Sequence, residues 1–435
     1  MKKRRVNKKN IFILAVFVAV FVTGFFLLPK GLKTGKTESS SSKAAVMTGN
    51  GINGEGNDVK SSAFGAGNGV KSGTAGELES GTAERSGDIR SLTFRAVGDN
   101  LIHKTIYRQA SDRANGGKRY DFEYAYKNIE SFVAEADLAF INQETIVTDD
   151  AFEPSTYPQF NSPPELGDHM INIGFDLFGL ANNHSYDKHE KGVLESIKFW
   201  EKRKAVTAVG MYAEDSKKDI IPMIEKNGIK IAFLAFAENT NGISLPSSAN
   251  ASVIYISETE RVKKCLALAE EKADMTIVSV HFGTEDSTQV NNTQINFAEF
   301  ITENGADLII GTHPHVLQKI DRIKTESNES LVIYSLGNFI SAQDTALNLL
   351  GGMLDLKINV NTKTKEIEFE RVKLIPIVTH YNSGYANLRI IKVKDYTDEL
   401  ASAHGVKNFG QEMSVSFLNR RAKEIIGEEF LDLVS

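Results

Sequence analysis

The 435-residue sequence contains a single cysteine, Cys265, and so lacks any disulfide bond within the chain. A zinc site built from thiolates is excluded for the same reason, so a metal ion would need His, Asp, Glu or Asn ligands. The sequence also lacks an excess of positive charge, because the formal net charge is −6. Proteins that bind nucleic acid usually present a basic face, and we therefore expect no nucleic-acid partner.

Basic residues are concentrated in positions 1–10, and an uncharged apolar run follows them from 11 to 28. The run is long enough to cross a bilayer and is longer than the apolar core of most cleaved signal peptides. We predict a cytoplasmic segment at 1–10 and an uncleaved transmembrane signal-anchor at 11–29, with a cleaved signal peptide as the alternative. Because the basic cluster precedes the run, we expect a single-pass protein of the cell membrane with an extracytoplasmic C-terminal domain.

Residues 30–90 are rich in Gly, Ser, Thr, Asn and Lys and contain few large apolar side chains. Such a segment cannot bury enough apolar surface to offset the entropy lost on ordering. We therefore predict a flexible, disordered linker that separates the membrane anchor from a folded domain. The main domain is expected at 91–345, and a β-rich extension with a C-terminal helix at 346–435 is expected to complete it.

Between residues 92 and 336, short apolar runs of β type alternate with segments of helical periodicity. The strand-like runs are 92–97, 136–141, 175–180, 205–209, 229–236, 275–280, 308–312 and 331–334. This alternation predicts an α/β fold in layers. After about Gly352 the pattern changes to that of antiparallel strands, and 414–430 is expected to form a closing helix.

Polar residues follow the predicted strands at their carboxyl ends. In chain order, the metal-ligand candidates are Asp99, Glu144, Asn183, His281, His313 and His315. Ligands of open α/β sheets gather at this edge, and these donors could hold two divalent metal ions about 3.5 to 4 Å apart. His184 lies next to Asn183 and could protonate a leaving group, so we predict a catalytic role for it.

The stretch Gly311-Thr312-His313-Pro314-His315 follows an apolar run and places two histidines at positions i and i+2. In an extended segment, side chains at i and i+2 point to the same side. Imidazole is a common metal ligand, and we therefore predict that this stretch forms one edge of a metal site. The alternative is an ordinary surface loop that contains two histidines.

Six short motifs together resemble a known family. They are Gly98-Asp99, Asn142-Gln143-Glu144, Ala181-Asn182-Asn183-His184-Ser185-Tyr186-Asp187, His281-Phe282-Gly283-Thr284-Glu285, Gly311-Thr312-His313-Pro314-His315-Val316 and Ser335-Leu336-Gly337-Asn338-Phe339. In this order and spacing they resemble the bacterial capsule-synthesis CapA family, also called the poly-γ-glutamate synthesis protein family. That family is related to the calcineurin-like metallophosphatases. The resemblance covers about residues 92–341 and implies a layered α-β-β-α sandwich of metallophosphatase type.

The resemblance also implies a cofactor of two divalent metal ions, with Mn, Zn and Fe as the candidates. It assigns Asp99, Glu144 and His315 to one ion, and it assigns Glu144, Asn183, His281 and His313 to the other. The wider metallophosphatases begin with Asp-x-His. In this sequence Asn100 and Leu101 follow Asp99, so that histidine is missing, and His103 lies further along the chain.

Four further residues are expected around the metal ligands, either behind them or at the rim of the site: Asp187, Glu285, Ser335 and Asn338. Asp187 is interpreted mainly as the N-cap of the following helix. Glu285 is either a partner that orients His281 or a loop acid without such a role. Ser335 and Asn338 are expected to shape the rim.

The leading hypothesis is a membrane-anchored, extracytoplasmic CapA-like protein in capsule or poly-γ-glutamate production or export, with a metal-dependent hydrolase-like site of phosphoesterase or amidase type. The expected partners are membrane-bound capsule or polyglutamate synthase subunits, an anionic polymer, and the membrane itself through 11–29. One alternative is a non-catalytic subunit that binds the polymer or acts as a scaffold of a synthase complex. A weaker alternative is a metallo-phosphoesterase for a small phosphoester, which the fold relationship alone supports.

Overall fold

The computed structural model describes residues 88–433. The predicted cytoplasmic segment, the predicted signal-anchor and nearly all of the predicted linker lie outside the described residues. Within 88–433, no helix is long and apolar enough to cross a membrane. The first strand begins at Ile89, so the end of the predicted linker belongs to the folded domain.

The described residues contain fourteen strands and nine α-helices. The strands are β1 (Ile89–Asn100), β2 (Leu138–Asn142), β3 (Leu177–Gly179), β4 (Thr207–Val209), β5 (Met223–Lys226), β6 (Ile229–Ala237), β7 (Met275–His281), β8 (Leu308–Thr312), β9 (Leu317–Lys324), β10 (Glu329–Leu336), β11 (Asn338–Ile340), β12 (Leu350–Asn361), β13 (Ile367–His380) and β14 (Arg389–Lys392). The helices are α1 (Lys104–Arg113), α2 (Glu123–Tyr126), α3 (Glu130–Ala134), α4 (Pro164–Asn172), α5 (His189–Glu201), α6 (Thr259–Lys272), α7 (Asn292–Glu303), α8 (Asp398–Ser402) and α9 (Val415–Ile426).

The strands form two sheets. The first has the order β14-β13-β12-β1-β2-β3-β4, with β11 paired to the end of β1. The second has the order β5-β6-β7-β8-β10-β9. Strand β12 pairs antiparallel with β1, and Val97 lies opposite Met353. The C-terminal residues therefore extend the first sheet and do not form a separate layer.

The two sheets pack face to face, and β6 shows how its sequence produces this arrangement. Phe233 of β6 points toward the first sheet and contacts Phe140 of β2, with ring centres 5.8 Å apart. Leu234 points the other way and packs in a cluster with Cys265 of α6. Alternate side chains of a strand face opposite sides of its sheet, and an uninterrupted apolar run therefore indicates a strand that is covered on both sides.

Helices cover the outer faces of both sheets. On the first sheet, Trp200 of α5 packs on Phe178 of β3 with ring centres 4.4 Å apart. On the second sheet, α6 and α7 pack on β7 and β8 through a separate buried cluster. The prediction of an α/β fold with layered sheets and helices is thus confirmed. Burial of each large apolar side chain contributes roughly 1.5–3 kcal/mol of stability.

The parallel strands bring the predicted site residues to one edge. β1, β2 and β3 are mutually parallel, as are β7 and β8. Gly98 near the end of β1 permits the chain to approach this edge closely, because a Cβ at that position would lie 1.9 Å from the carbonyl oxygen of Gly337. The backbone N–H of Asp99 donates to the same carbonyl at 3.0 Å.

Candidate metal centre

The two histidines after β8 were expected in an extended segment, and the structure contradicts that backbone conformation. They lie in a tight turn, with φ angles of 98° at His313 and 59° at His315. Such angles are uncommon for residues other than glycine and cost of order 1–3 kcal/mol each, a cost typical of functional sites. The turn still places both rings at the same edge of the sheets, with ring centres 6.2 Å apart.

Three donor atoms meet at one position of the site. Nε2 of His281 lies 3.1 Å from Oδ1 of Asn183 and 3.1 Å from Nδ1 of His313. Nitrogen and oxygen ligands bind a divalent ion such as zinc at about 2.0–2.2 Å, so adjacent ligands of one ion lie about 3 Å apart. Oε1 of Glu144 lies 3.9 Å from the same His281 nitrogen. These four side chains match the ligands expected for one ion.

A second group consists of Asp99, Glu144 and His315, which each offer a donor atom within 4.8 Å of the others. Nε2 of His315 lies 3.7 Å from Oε1 of Glu144, and its Nδ1 lies 3.3 Å from Oδ2 of Asp99. Glu144 is common to both groups, and a carboxylate has two oxygens with which to bridge two ions. The structure thus brings together all six predicted metal ligands.

Glu144 supplies the clearest evidence that this site fits a cation. Its residue is 1% exposed, and neither carboxylate oxygen has a hydrogen-bond partner. A buried ionised carboxylate without a partner is strongly unfavourable. Burial accordingly raises the pKa of Glu144 well above its usual range. A bound divalent ion would supply the missing partner, and the residues present therefore fit a metal ion.

The imidazole pKa values agree with this interpretation. Burial, together with the neighbouring His313 and His315, lowers the pKa of His281 well below its usual value. Burial likewise lowers the pKa of His313 to about 4. Both rings are therefore neutral near pH 7, which is the form that binds metals. Burial also opposes protonation of His315, but the Glu144 and Asp99 carboxylates outweigh it and raise this pKa to about 10.

Two site residues were missed from the sequence. Asn142 donates from Nδ2 to Oδ1 of Asp99 at 2.7 Å, and Nδ1 of His281 lies 2.9 Å from the hydroxyl of Thr312. Each residue is the last of a strand that leads to a metal-ligand candidate. Its position at the strand end is therefore the sequence feature that could have predicted it. Neutral polar side chains are also common at such ends for purely structural reasons, and the pattern alone could not select them.

Asn338 and Ser335 support the histidine turn from behind. Oδ1 of Asn338 lies 3.0 Å from Nδ1 of His315. Ser335 donates its hydroxyl proton to the carbonyl oxygen of Val316, the residue after the turn, at 2.7 Å. Ser335 is fully buried, so the structure places it beneath the turn and not at the rim of the site.

His184 is paired with Asp187, and the prediction that Asp187 caps the following helix was wrong. Nδ1 of His184 lies 2.8 Å from Oδ2 of Asp187, which also accepts the backbone N–H of Phe160 at 2.6 Å. Helix α5 begins at His189 and has no side-chain cap. Nε2 of His184 lies 3.9 Å from Oε1 of Glu144. A carboxylate on one ring nitrogen leaves the other nitrogen free to exchange a proton on the open side.

A cleft of about 620 Å³ opens beside the ligands. It is lined by Leu101, His103, Tyr157, Pro158, Gln159, Phe160, His184, Asn241, Ile243, Glu285, His315 and Gln343. No lining side chain is a lysine or arginine.

Glu285 is exposed on the wall of this cleft, and His281 is contacted by Thr312 and not by this acid. His103 accepts the backbone N–H of Ala342 and lies outside the ligand group.

Comparison with known proteins gives the family. Residues 93–343 match the family described as "Bacterial capsule synthesis protein PGA_cap". The chain belongs to this family. The family predicted from the six motifs is thus confirmed, and the matched residues contain every predicted site residue. The matched segment ends before β12, which completes the first sheet.

Two curated relatives are similar over part of their length. The chain is 26% identical to "Capsule biosynthesis protein CapA" of Bacillus anthracis over 58% of this chain and 60% of that protein. It is 30% identical to "PGA biosynthesis protein CapA" of Bacillus subtilis (strain 168) over 59% of this chain and 65% of that protein. The alignments thus span less than two thirds of either relative.

Two solved structures also resemble the chain. One is a novel phosphatase from Mycoplasma pneumoniae, with a TM-score of 0.39 and 15% identity over 67% of this chain and 94% of that chain. The other is a putative 5'-nucleotidase from Staphylococcus aureus, with a TM-score of 0.41 and 13% identity over 66% of this chain and 54% of that chain.

Proposed function

We propose that this PGA_cap family member acts in bacterial capsule production as a metal-dependent hydrolase, with a phosphoester or an amide as the bond that it cleaves. Poly-γ-glutamate, the polymer implied by the family resemblance, is the candidate polymer of that capsule. The observation that carries the metal requirement is Glu144, a buried carboxylate whose two oxygens lack hydrogen-bond partners. The imidazoles of His281 and His315 lie within 3.9 Å of it.

The chain's own residues would divide the work of hydrolysis. Bound divalent ions would activate a water molecule and stabilise charge on the attacked group. Asn183, His281 and His313 would hold one position, and Asp99 and His315 would complete the other with Glu144. The fixed turn and the buried hydrogen bonds keep these donors in place before any ion binds, which limits reorganisation during the reaction.

His184 would supply the proton that a leaving group requires. It lines the cleft, and Asp187 holds its Nδ1 side, so Nε2 is the atom available for proton transfer. Phe160 packs edge-on against the imidazole with ring centres 4.7 Å apart, which fixes the plane of the ring. A general acid in such a position typically contributes 10²–10⁴-fold to a rate.

The metal content of the purified protein, prepared without chelator, tests this proposal. We expect bound divalent metal in the wild-type chain and a large loss in Glu144→Gln, which keeps the shape but removes the charge. Glu201→Gln, at an exposed position on α5, is the matched control and should retain its metal. A metal-free wild-type protein that also fails to bind added Mn²⁺, Zn²⁺ or Fe²⁺ would refute the proposal.

We further propose that the domain works outside the cytoplasm, anchored by 11–29, beside membrane-bound synthase subunits that make or export the polymer. The charge pattern of the N-terminal sequence supports this placement. A reporter that is active only outside the cytoplasm, fused after residue 90, should be active. Activity of a reporter that works only in the cytoplasm, fused at the same point, would contradict the topology. Cross-linking in membranes, with an antibody to a synthase subunit, tests the proposed partnership.

A further inference from the structure

Three cationic side chains converge on one aromatic ring away from the metal centre. The Arg113 guanidinium carbon lies 4.1 Å from the centre of the Tyr124 ring, the Lys127 ammonium lies 5.0 Å from it, and the Arg389 guanidinium carbon lies 5.7 Å from it. Arg389 also donates to the Tyr124 hydroxyl at 3.1 Å. Since all three cations surround one ring, they form a single cluster, here called the cationic cluster.

The cationic cluster has no acidic partner within the described residues. No carboxylate oxygen lies within 4.0 Å of any of its three charged groups. Arg113 instead donates to the side chain and backbone oxygens of Gln109, and Arg389 donates to the backbone oxygen of Asn387. Other arginines of the described chain, such as Arg203 and Arg261, do contact carboxylates. Several other cations of the described chain also lack a carboxylate within 4.0 Å, so what sets the cluster apart is that three such cations meet at one ring.

Like charges held together repel one another, and the aromatic face of Tyr124 offsets only part of that repulsion. Lys127 is exposed and the two arginines are half-buried, so an anion from solution can reach the cluster. Guanidinium groups pair with carboxylates and phosphates through two parallel hydrogen bonds. The ligand that best fits three separate cations is therefore an anion with several acidic groups in series.

We propose that Arg113, Lys127 and Arg389 form a binding site for the carboxylates of an anionic polymer. The identity of the polymer rests on the proposed function in capsule production, whereas the absence of acidic partners is independent of it. The chemistry of the cleft supports a separate site for the chain, since no lysine or arginine lines the cleft. Without bound metal, the cleft offers a polyanion no cationic side chain other than protonated histidine.

The position of the cluster suits a chain that also reaches the cleft. Helix α1 begins one residue after His103, which lines the cleft, and it ends at Arg113. A ten-residue helix is about 15 Å long, a distance that about five extended residues can span. Gln109 of α1 ties the cluster together, because its Oε1 accepts hydrogen bonds from Arg113 and from the backbone N–H of Leu388.

The test measures the dissociation constant of a fluorescent glutamate oligomer of about twenty residues for the full-length chain. Binding is detected at low salt by the fluorescence anisotropy of the oligomer. The variant Arg113→Gln/Lys127→Gln/Arg389→Gln should bind at least about tenfold more weakly, as expected for the loss of three exposed charge contacts. The control is Lys198→Gln/Lys324→Gln/Lys363→Gln, which removes the same charge from exposed lysines that have acidic partners. It should change the affinity less than twofold.

If both triple variants lost the same affinity for the oligomer, binding would depend on net charge alone, and the proposal would be overturned. Wild-type affinity in the variant that lacks the three cluster cations would overturn it as well. Lys127→Gln alone covers the case of a triple variant that does not fold, since the Lys127 side chain is exposed and donates no hydrogen bond to any described residue. It should weaken binding about twofold, and wild-type affinity in this variant would count against the site.

Two further measurements separate the sources of failure. The first is competition for the bound fluorescent oligomer by tripolyphosphate and by unlabelled glutamate oligomer, compared at equal concentrations of negative charge. Stronger displacement by tripolyphosphate would overturn the assignment to carboxylates. Metal content, measured on the same preparations, reports on the proposed hydrolase site independently. Weakened oligomer binding with unchanged metal supports the cluster, whereas metal-free protein that still shows the charge-specific loss would support the cluster and refute the metal proposal.

Discussion

The amide of Asn338 fixes the orientation of His315. Its nitrogen lies 2.6 Å from Oε1 of Gln343 and 2.9 Å from the carbonyl oxygen of Asn348, so both amide protons are already donated. Its oxygen is therefore left to accept a proton from Nδ1 of His315, at 3.0 Å. The free nitrogen of the ring, Nε2, faces Glu144. Residues behind metal ligands commonly set the tautomer and orientation in this way.

Replacement of Asn338 by Ala should weaken metal binding about 10–100-fold, because such partners typically have effects of that size. The measurement is the dissociation constant for Mn²⁺ or Zn²⁺, determined by competition with a chelator of known affinity. Asn172→Ala, at an exposed position on α4, is the matched control and should bind as the wild type does. Unchanged affinity in Asn338→Ala would mean that the ring holds its orientation without this contact.

Asp187 should matter for proton transfer and not for metal binding. Asp187→Asn keeps the shape of the side chain but removes the charge that holds the Nδ1 side of His184. We expect kcat for a chromogenic phosphodiester to fall about 10–100-fold with little change in KM, and the metal content to stay at the wild-type value. The control is Asp149→Asn, which pairs with Lys202 and does not line the cleft. Loss of both metal and turnover in Asp187→Asn would instead show that the His184–Asp187 pair holds the metal site together.

Leu101 stands two residues after Asp99, at the position where the pattern Asp-x-His would have a histidine, and it lines the same cleft as His315. The position formed by Asp99, Glu144 and His315 therefore has three protein ligands, and we expect it to bind its ion more weakly than the other position does. Leu101→His would add a nitrogen ligand and should raise the affinity of the weaker ion. Calorimetric titration of the metal-free protein gives both affinities. Two equal, tight sites in the wild type would contradict this expectation.

The strands that carry the site could be predicted because their signal is local. Strand β7 was expected at 275–280 and runs from Met275 to His281, and the run before Gly311 forms β8 as expected. Continuous apolar runs of this length report burial on both faces. The polar residues that end such strands then gather at one edge for topological reasons, so the sequence alone predicts the candidate site.

Features that depend on contacts between distant parts of the chain could not be predicted in the same way. The pairing of β1 with β12 joins Val97 to Met353, and no local pattern encodes that partner. The backbone of His313 is set by the turn and its contacts and not by a propensity of histidine. Asp187 was expected to cap a helix because it precedes one, yet the folded chain offers it the His184 ring. A sequence shows which polar groups are present, whereas the fold decides which of them meet.

His404, far from the metal centre in sequence, is held in one neutral tautomer within the C-terminal part of the fold. Its Nδ1 accepts the backbone N–H of Val406 at 3.0 Å, and its Nε2 therefore donates to the carbonyl oxygen of Thr379 at 3.0 Å. The residue is 2% exposed, and burial lowers its pKa to about 4. His380, with its ring centre 5.0 Å away, is also buried, and its pKa is lowered to about 3.

These lowered pKa values predict a loss of stability in mild acid. The unfolded chain takes up a proton on each histidine below about pH 6.5, whereas folded His404 remains neutral down to about pH 4. The stabilisation is thus fully present above pH 6.5 and is lost as the pH falls toward 4, by roughly 3 kcal/mol for His404 alone. Urea unfolding with chelator present, at pH 7, 5.5 and 4, measures the loss.

His404→Gln should lose less stability over this range than the wild type, while His189→Gln, at an exposed position, should follow the wild type. Equal pH dependence in all three proteins would show that buried His404 does not couple protonation to unfolding.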